Sequence, residues 1–340
     1  MAKITGLHHV SAITSSAQKI YDFFIDILGM RLVKKTVNQD DIKTYHLFFA
    51  DDVGSAGTDM TFFVFEGIPR AKFGTDEIMR TSFRVPSDKA LKYFVLRFDA
   101  YNVKHDGITT LFGRKFLFFE DFDGQRYALV SDEKVQGIPG GIPVIKSPVP
   151  EEYGIVGLGP SFLRVQNELL MDTALVDVLG FRKIETVADK TLYEVGLGGN
   201  GAAIIVVKDS ESPLSRQGYG SVHHIAFRVD NKEDLLNWIP LLEQVRAPHS
   251  GYVDRFYFES LYARLYPQIL FEFATDGPGF IDDEESYEVL GEKLALPPFY
   301  RDKRSYVERT VRRFQTTRHN EEAIKEDINY LKNLLKDEEI

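Results

Sequence analysis

Two histidine doublets stand out in the chain: His8-His9 within GLHHVSAI and His223-His224 within SVHHIAFRV. With 8 histidines in 340 residues, random placement gives about 0.2 such doublets, so two in similar hydrophobic settings point to chemistry. Adjacent residues of a strand face opposite ways, so one imidazole of each pair can line a cavity. His9 shares its face with Ser11, and His224 with Ala226 and Arg228, neighbours small or polar enough to border a wet pocket. His8 goes with Val10, and His223 with Ile225 and Phe227, a set suited to packing under a helix. On this reading His8 and His223 turn away and act only through hydrogen bonds at a twisted strand edge. Two imidazoles can hold a divalent cation, and an open catalytic site of that kind adds one carboxylate. Glu272 in ILFEFATD is the candidate, because a charge flanked by Leu270, Phe271 and Phe273 is costly to bury unless paired or metal-bound. The remaining His46, His105, His249 and His319 have no matching partner and are expected to be ordinary surface or strand residues.

The elements that position these residues come from a repeat. DILGMRLV at 26–33 aligns with DVLGFRKI at 177–184, a shift of 177 − 26 = 151 that also sets Gly6-Leu7 on Gly157-Leu158. Phe83-Arg84-Val85 matches Phe227-Arg228-Val229 at 227 − 83 = 144, and that shift carries Ser131-Asp132 onto Thr275-Asp276. The chain thus reads A-B-A′-B′. Each module opens with a strand such as LHHVSAI, continues into a helix such as AQKIYDFFIDILG, and ends in short alternating runs, the order βαβββ. Four strands cannot bury both faces alone, so modules should curl together in pairs. The predicted fold is α+β: four βαβββ modules forming two half-open mixed β barrels with outer helices.

Modules one and two occupy 1–134, a linker rich in proline and glycine 135–152, and modules three and four 153–276. An acidic C-terminal helical extension is expected over 277–340, where Ile324, Ile328, Leu331 and Leu335 fall at helical spacing. The shift of 144 puts Arg80 where His224 stands and Ala128 where Glu272 stands, and the shift of 151 puts Pro160 at the His9 position. The inner modules therefore carry no ligands, and a shared site requires module one to pair with module four.

Composition narrows the function classes. Acids outnumber bases, 41 − 51 = −10, with no long basic tract, which speaks against nucleic acid or an anionic membrane surface as partner. No run approaches the ~18 apolar residues of a bilayer span, and the opening MAKITGLHHV has no apolar stretch after its single lysine, so a cytoplasmic location is expected. The chain has no cysteine, which removes disulfides, thiolate nucleophiles and zinc-thiolate sites.

The modules, the doublets LHHV and VHHI, and the closing RFYFESLYARLYPQILFEFATDGPGF resemble the vicinal oxygen chelate superfamily over roughly residues 1–300. Within it the likeness is to the hydroquinone ring-cleaving dioxygenases and their glyoxalase-like bacterial relatives. The resemblance implies Fe(II), with Mn(II) as the other option, held at His9, His224 and Glu272. It implies catalytic roles for Tyr262, His223 and Arg255, and supporting roles for His8 and for Ser11, which stands where the family can place threonine. A turn near Pro267 pairs residues summing to 534, which sets Tyr262 across from Glu272. The expected partners are a small aromatic substrate and dioxygen, with homo-oligomerisation left open. A glyoxalase-like lyase or isomerase is an alternative, but it needs more carboxylate or glutamine ligands than Met60–Phe65 offers. A protein that only sequesters aromatic toxins would have no use for the triad.

Overall fold

The helix of each module starts at a side chain that can satisfy a free backbone N–H. Ser16, Ser87, Asn167 and Asn231 accept from the amides of Lys19, Ala90, Leu170 and Asp234. In the computed structural model, which describes residues 3–281, 285–316, 329–331 and 333, all four modules follow the order strand, helix, three strands. Module one comprises β1 (Gly6–Ile13), α1 (Ala17–Asp22), β2 (Arg31–Asn38), β3 (Asp41–Ala50) and β4 (Asp59–Val64). Module two comprises β5 (Glu77–Val85), α2 (Asp88–Ala100), β6 (His105–Leu111), β7 (Arg114–Glu120) and β8 (Arg126–Ser131). Module three comprises β9 (Gly157–Val165), α3 (Glu168–Thr173), β10 (Arg182–Val187), β11 (Lys190–Glu194) and β12 (Ala203–Lys208). Module four comprises β13 (Ser221–Val229), α4 (Lys232–Leu236), α5 (Trp238–Gln244), β14 (His249–Asp254), β15 (Phe258–Tyr266) and β16 (Ile269–Pro278). The repeated DILG and DVLG have a local cause: α1 and α3 each widen into a π turn, and Gly29 and Gly180 then take φ of 73° and 76° to end it.

The sheets are built from unlike halves of the chain. One has the order β14-β15-β16-β13-β1-β4-β3-β2, so modules four and one join through β1 and β13. The other has the order β10-β11-β12-β9-β5-β8-β7-β6, joining modules three and two. The π turn that follows α1 touches both: Phe24 packs on Phe49 and Phe62 at 4.9 and 5.0 Å, and Phe23 lies 6.3 Å from Phe119 and from Tyr127. The interior of the β5–β9 barrel is closed by Phe116, Phe162, Leu192 and Ile205, with the Arg80 guanidinium over the Phe118 ring at 4.1 Å. The position equivalent to His224 is thus occupied by a packed side chain.

The segment after β16 runs back along module one. Leu294 bridges Lys35 of β2, the amide of Ala295 donates to the Lys35 carbonyl at 2.9 Å, and a buried pair, Lys34 with Glu285 at 2.7 Å, fastens it. It covers an otherwise open sheet edge. A further helix, α6, spans Arg304–Thr310. Of the helix expected from Ile324, Ile328, Leu331 and Leu335, only Leu331 lies among the described residues, where it is buried; the other three lie outside them. Among the described residues no helix is long and apolar enough to cross a membrane.

Candidate metal centre

The join between β1 and β13 is irregular at two points. Leu7 pairs with Phe227 and His9 with Ala226, which leaves His8 as an extra residue; Ser11 pairs with His224 and Ala12 with Val222, which leaves His223 extra. Similar shifts occur between β5 and β9, around Met79 and Arg80, so the bulges belong to the fold and only the imidazoles are peculiar to this sheet. Bulging corrects the expectation that His8 and His223 turn away. The rings of each doublet meet: His8 Nδ1 lies 2.9 Å from His9 Nδ1, and His223 Nδ1 lies 2.7 Å from His224 Nδ1. His223 lines the same cavity as His9 and His224.

These contacts decide where the protons sit. The Thr275 carbonyl can only accept, so His8 donates to it through Nε2 at 2.9 Å. Burial, with His9 beside it, pushes His8 down to about 3, so it is neutral and its Nδ1 is bare. His9 must then donate from Nδ1, and its Nε2 is the nitrogen that can serve as a lone pair toward a metal. His223 is likewise pushed down to about 3 by burial and by His224. The matching arrangement has His224 donating to His223 through Nδ1 and presenting a bare Nε2.

The two free nitrogens meet Glu272. His9 Nε2 and His224 Nε2 lie 3.2 Å apart and face Glu272 Oε2 at 3.1 and 2.9 Å. Glu272 is fully buried, its Oε1 accepts from Ser260 Oγ at 2.5 Å, and its Oε2 receives no hydrogen bond of ordinary geometry. Burial alone would push this carboxyl up; it is held well below the usual carboxylate range by positive charge on the His9 and His224 side, protons on the imidazoles in the metal-free site or a cation in their place. His224 itself is lowered, chiefly by burial. Lone pairs and an anion converging on one point repel unless a cation lies between them. The triangle has the right size for one: donors about 2.1 Å from a centre, at right angles, are about 3.0 Å apart. Among the described residues this is the one group of three suited to hold a metal ion.

A cavity of 360 Å³ opens beside the triangle, lined by Phe48, Phe63, Phe258 and a set of polar groups. Tyr262 is the cross-strand partner of Glu272, and its ring centre is 5.8 Å from that of His224. Burial, then the Glu272 charge, raises Tyr262, so it keeps its proton. Arg255 donates to the Tyr262 hydroxyl at 3.2 Å and reaches across the mouth to Asp40 at 3.0 Å. Ser11 Oγ lies 2.6 Å from Thr61 Oγ1.

His46 departs from the expectation of an ordinary strand residue: it lines the cavity, its ring 4.0 Å from Phe48 and 4.2 Å from Phe63, with Nε2 2.9 Å from Thr61 Oγ1. Thr36, Asp40 and Thr61 also escape the sequence reading. The usable signal was period-2 spacing, which sets His46 on the face of Phe48. His105 pairs with Asp99 and His249 opens β14, both away from the cavity, whereas His319 lies outside the described residues.

Fold and site together define a class. A profile of the Glyoxalase/Bleomycin resistance protein/Dioxygenase superfamily matches residues 6–129, and the chain belongs to that family. The Bacillus subtilis protein named as the ring-cleaving dioxygenase MhqA is 42% identical over 318 residues, 92% of this chain and 100% of that protein. A chlorohydroquinone/hydroquinone 1,2-dioxygenase of Sphingobium indicum is 29% identical, covering 87% of this chain and 92% of its own. The crystal structure of a Bacillus subtilis protein described as a dioxygenase superposes with a TM-score of 0.85 at 31% identity, over 94% of this chain and 100% of that one. Glyoxalase I from Zea mays, at 12% identity and a TM-score of 0.57, shares the fold.

Proposed function

We propose that the protein is an Fe(II)-dependent ring-cleaving dioxygenase acting on hydroquinone-type aromatics, with His9, His224 and Glu272 as the metal ligands. The observation that carries this reading is the residue in the fourth position. Counting two residues on from His224 leads to Ala226, whose parallel partner is Glu272; counting two on from His9 leads to Ser11, whose partner is Thr61. A glyoxalase-like site would want a second acid there. Thr61 is instead engaged by Ser11 and His46, so the face toward the cavity stays open for two further oxygen ligands.

Fe(II), when bound, supplies the path by which electron density passes from an electron-rich phenolate to dioxygen. Both oxygen atoms enter the ring-opened product, so no external reductant is required. The chain's own residues do the rest. Phe48, Phe63 and Phe258 hold the ring and exclude water. The Tyr262 hydroxyl, oriented by Arg255, donates toward the substrate oxygen nearest the ligands. His223 is neutral and stands at the cavity wall; with Nδ1 accepting from His224, its Nε2 keeps the proton and is placed to donate to the substrate oxygen as that oxygen ionises. The test is anaerobic Fe(II) loading followed by dioxygen uptake with hydroquinone, methylhydroquinone and catechol. Uptake with the hydroquinones is expected; none with any hydroquinone after verified loading overturns the reading.

A further inference from the structure

The wall of the cavity formed by β2 and β3 carries a polar group with nothing to bind. Thr36 is 2% exposed, lines the cavity, and its Oγ1 has no hydrogen-bond partner. A buried hydroxyl in that state is costly, and one that also lines a cavity can be completed by a molecule bound there. Thr36 is the cross-strand partner of His46, so the two side chains stand next to each other on the same face. His46 is immobilised between two phenylalanine rings and tied through Thr61 to Ser11, next to the ligands. One polar row thus runs from the metal triangle out to Thr36, and it includes no fixed charge.

We propose that Thr36 and His46 form a neutral subsite for an oxygen on the far side of the substrate ring. The subsite selects rings bearing an uncharged hydroxyl para to the metal-facing one, and it rejects rings bearing a carboxylate there. This deepens the ring-cleavage reading and rests on it for the orientation of the ring. Tyr262 and Arg255 are not available for the same task, because Tyr262 stands across from Glu272 at the near oxygen. Nor does the wall offer a counter-ion: among the described lining residues the Arg255 cation is matched by Asp40, and burial keeps His46 well below the ordinary histidine range. A carboxylate placed there would be desolvated without a partner.

The test measures binding to the metal-loaded protein without oxygen, using phenol, hydroquinone and 4-hydroxybenzoate, and reads metal content alongside. Wild type should bind hydroquinone about tenfold more tightly than phenol and 4-hydroxybenzoate more weakly than either. Thr36→Val, which keeps the β-branched shape, should bring the hydroquinone-to-phenol ratio close to one with metal content unchanged. Thr36→Ser, which retains the hydroxyl, should keep most of the preference. Equal affinities in wild type, a ratio that survives in Thr36→Val, or tight 4-hydroxybenzoate binding would overturn the subsite. Dioxygen uptake is scored separately: a preserved binding preference without uptake defeats ring cleavage and leaves the subsite standing, and uptake without the preference does the reverse.

Discussion

Thr61 in β4 occupies the ladder position that Glu272 holds in β16, each paired in parallel with the residue two places beyond a histidine of the triangle. The near-symmetry of the two outer modules is broken at this point, and the break leaves the cavity side of the triangle without a second acid. Thr61→Asp restores a second acid. The variant should hold divalent metal at least as firmly as wild type in a chelator competition, yet consume dioxygen at least tenfold more slowly. Wild-type uptake by a variant with full metal content would show that the open face is not what the chemistry needs.

Removing Glu272 tests the triangle itself. Glu272→Ala and His224→Ala should each lose most bound iron on metal analysis after loading and desalting. Ser260→Ala, which deletes the donor to Oε1, should lower metal affinity roughly 10- to 100-fold, the range typical of an orienting partner. Iron contents near wild type in Glu272→Ala would end the assignment.

Tyr262→Phe separates orientation from metal binding. The hydroxyl touches Arg255 and none of the three ligands, so metal content should stay intact. Turnover of hydroquinone should drop by the equivalent of ~1–3 kcal/mol, the cost of one buried hydrogen bond. Catechol, which chelates through two oxygens, should be affected less. An unchanged rate with hydroquinone would remove Tyr262 from the chemistry.

A pH dependence is expected far from the metal. Burial, then the neighbouring Asp123 charge, pushes Asp121 up to about 7 from its ordinary value of 3.8. The folded state therefore holds this proton more tightly than the unfolded one. The resulting stability is present in full below pH 3.8 and is lost as pH rises through about 7. Asp121→Asn should flatten the thermal midpoint between pH 4 and pH 8, gaining at most ~4 kcal/mol relative to wild type at the alkaline end. Parallel curves for the two proteins would refute it.

The module order and the pairing of first with last were legible because the candidate ligands His9, His224 and Glu272 fall in the outer modules while Arg80, Ala128 and Pro160 interrupt the middle. Tyr262 opposite Glu272 was legible because a short hairpin leaves little choice of register. The bulges were not. They arise from a slip between two strands more than 200 residues apart, and neither strand has a glycine at the slip to announce it. Strict alternation therefore misplaced His8 and His223, and with them the proton order of the doublets. Thr61 was hidden by unequal loops, since the ligand histidines are 224 − 9 = 215 apart while Thr61 and Glu272 are 272 − 61 = 211 apart. His46 and Thr36 needed the curl of the sheet, a property of no single strand.

The join of β1 to β13 also sets a timetable. During synthesis β1 emerges long before its antiparallel neighbour, which begins only at Ser221, and before the carboxylate at Glu272. By then β5 to β12 have all left the ribosome, and the barrel they build is complete in itself. The nascent chain must therefore keep its first half-sheet unpaired along one edge while the middle folds, then close the gap late across a long sequence separation. A truncated chain ending before Glu272 can acquire a folded middle and still lack one of the three groups proposed to hold the metal, so on that proposal capacity to take up metal marks a chain whose fourth module has been made.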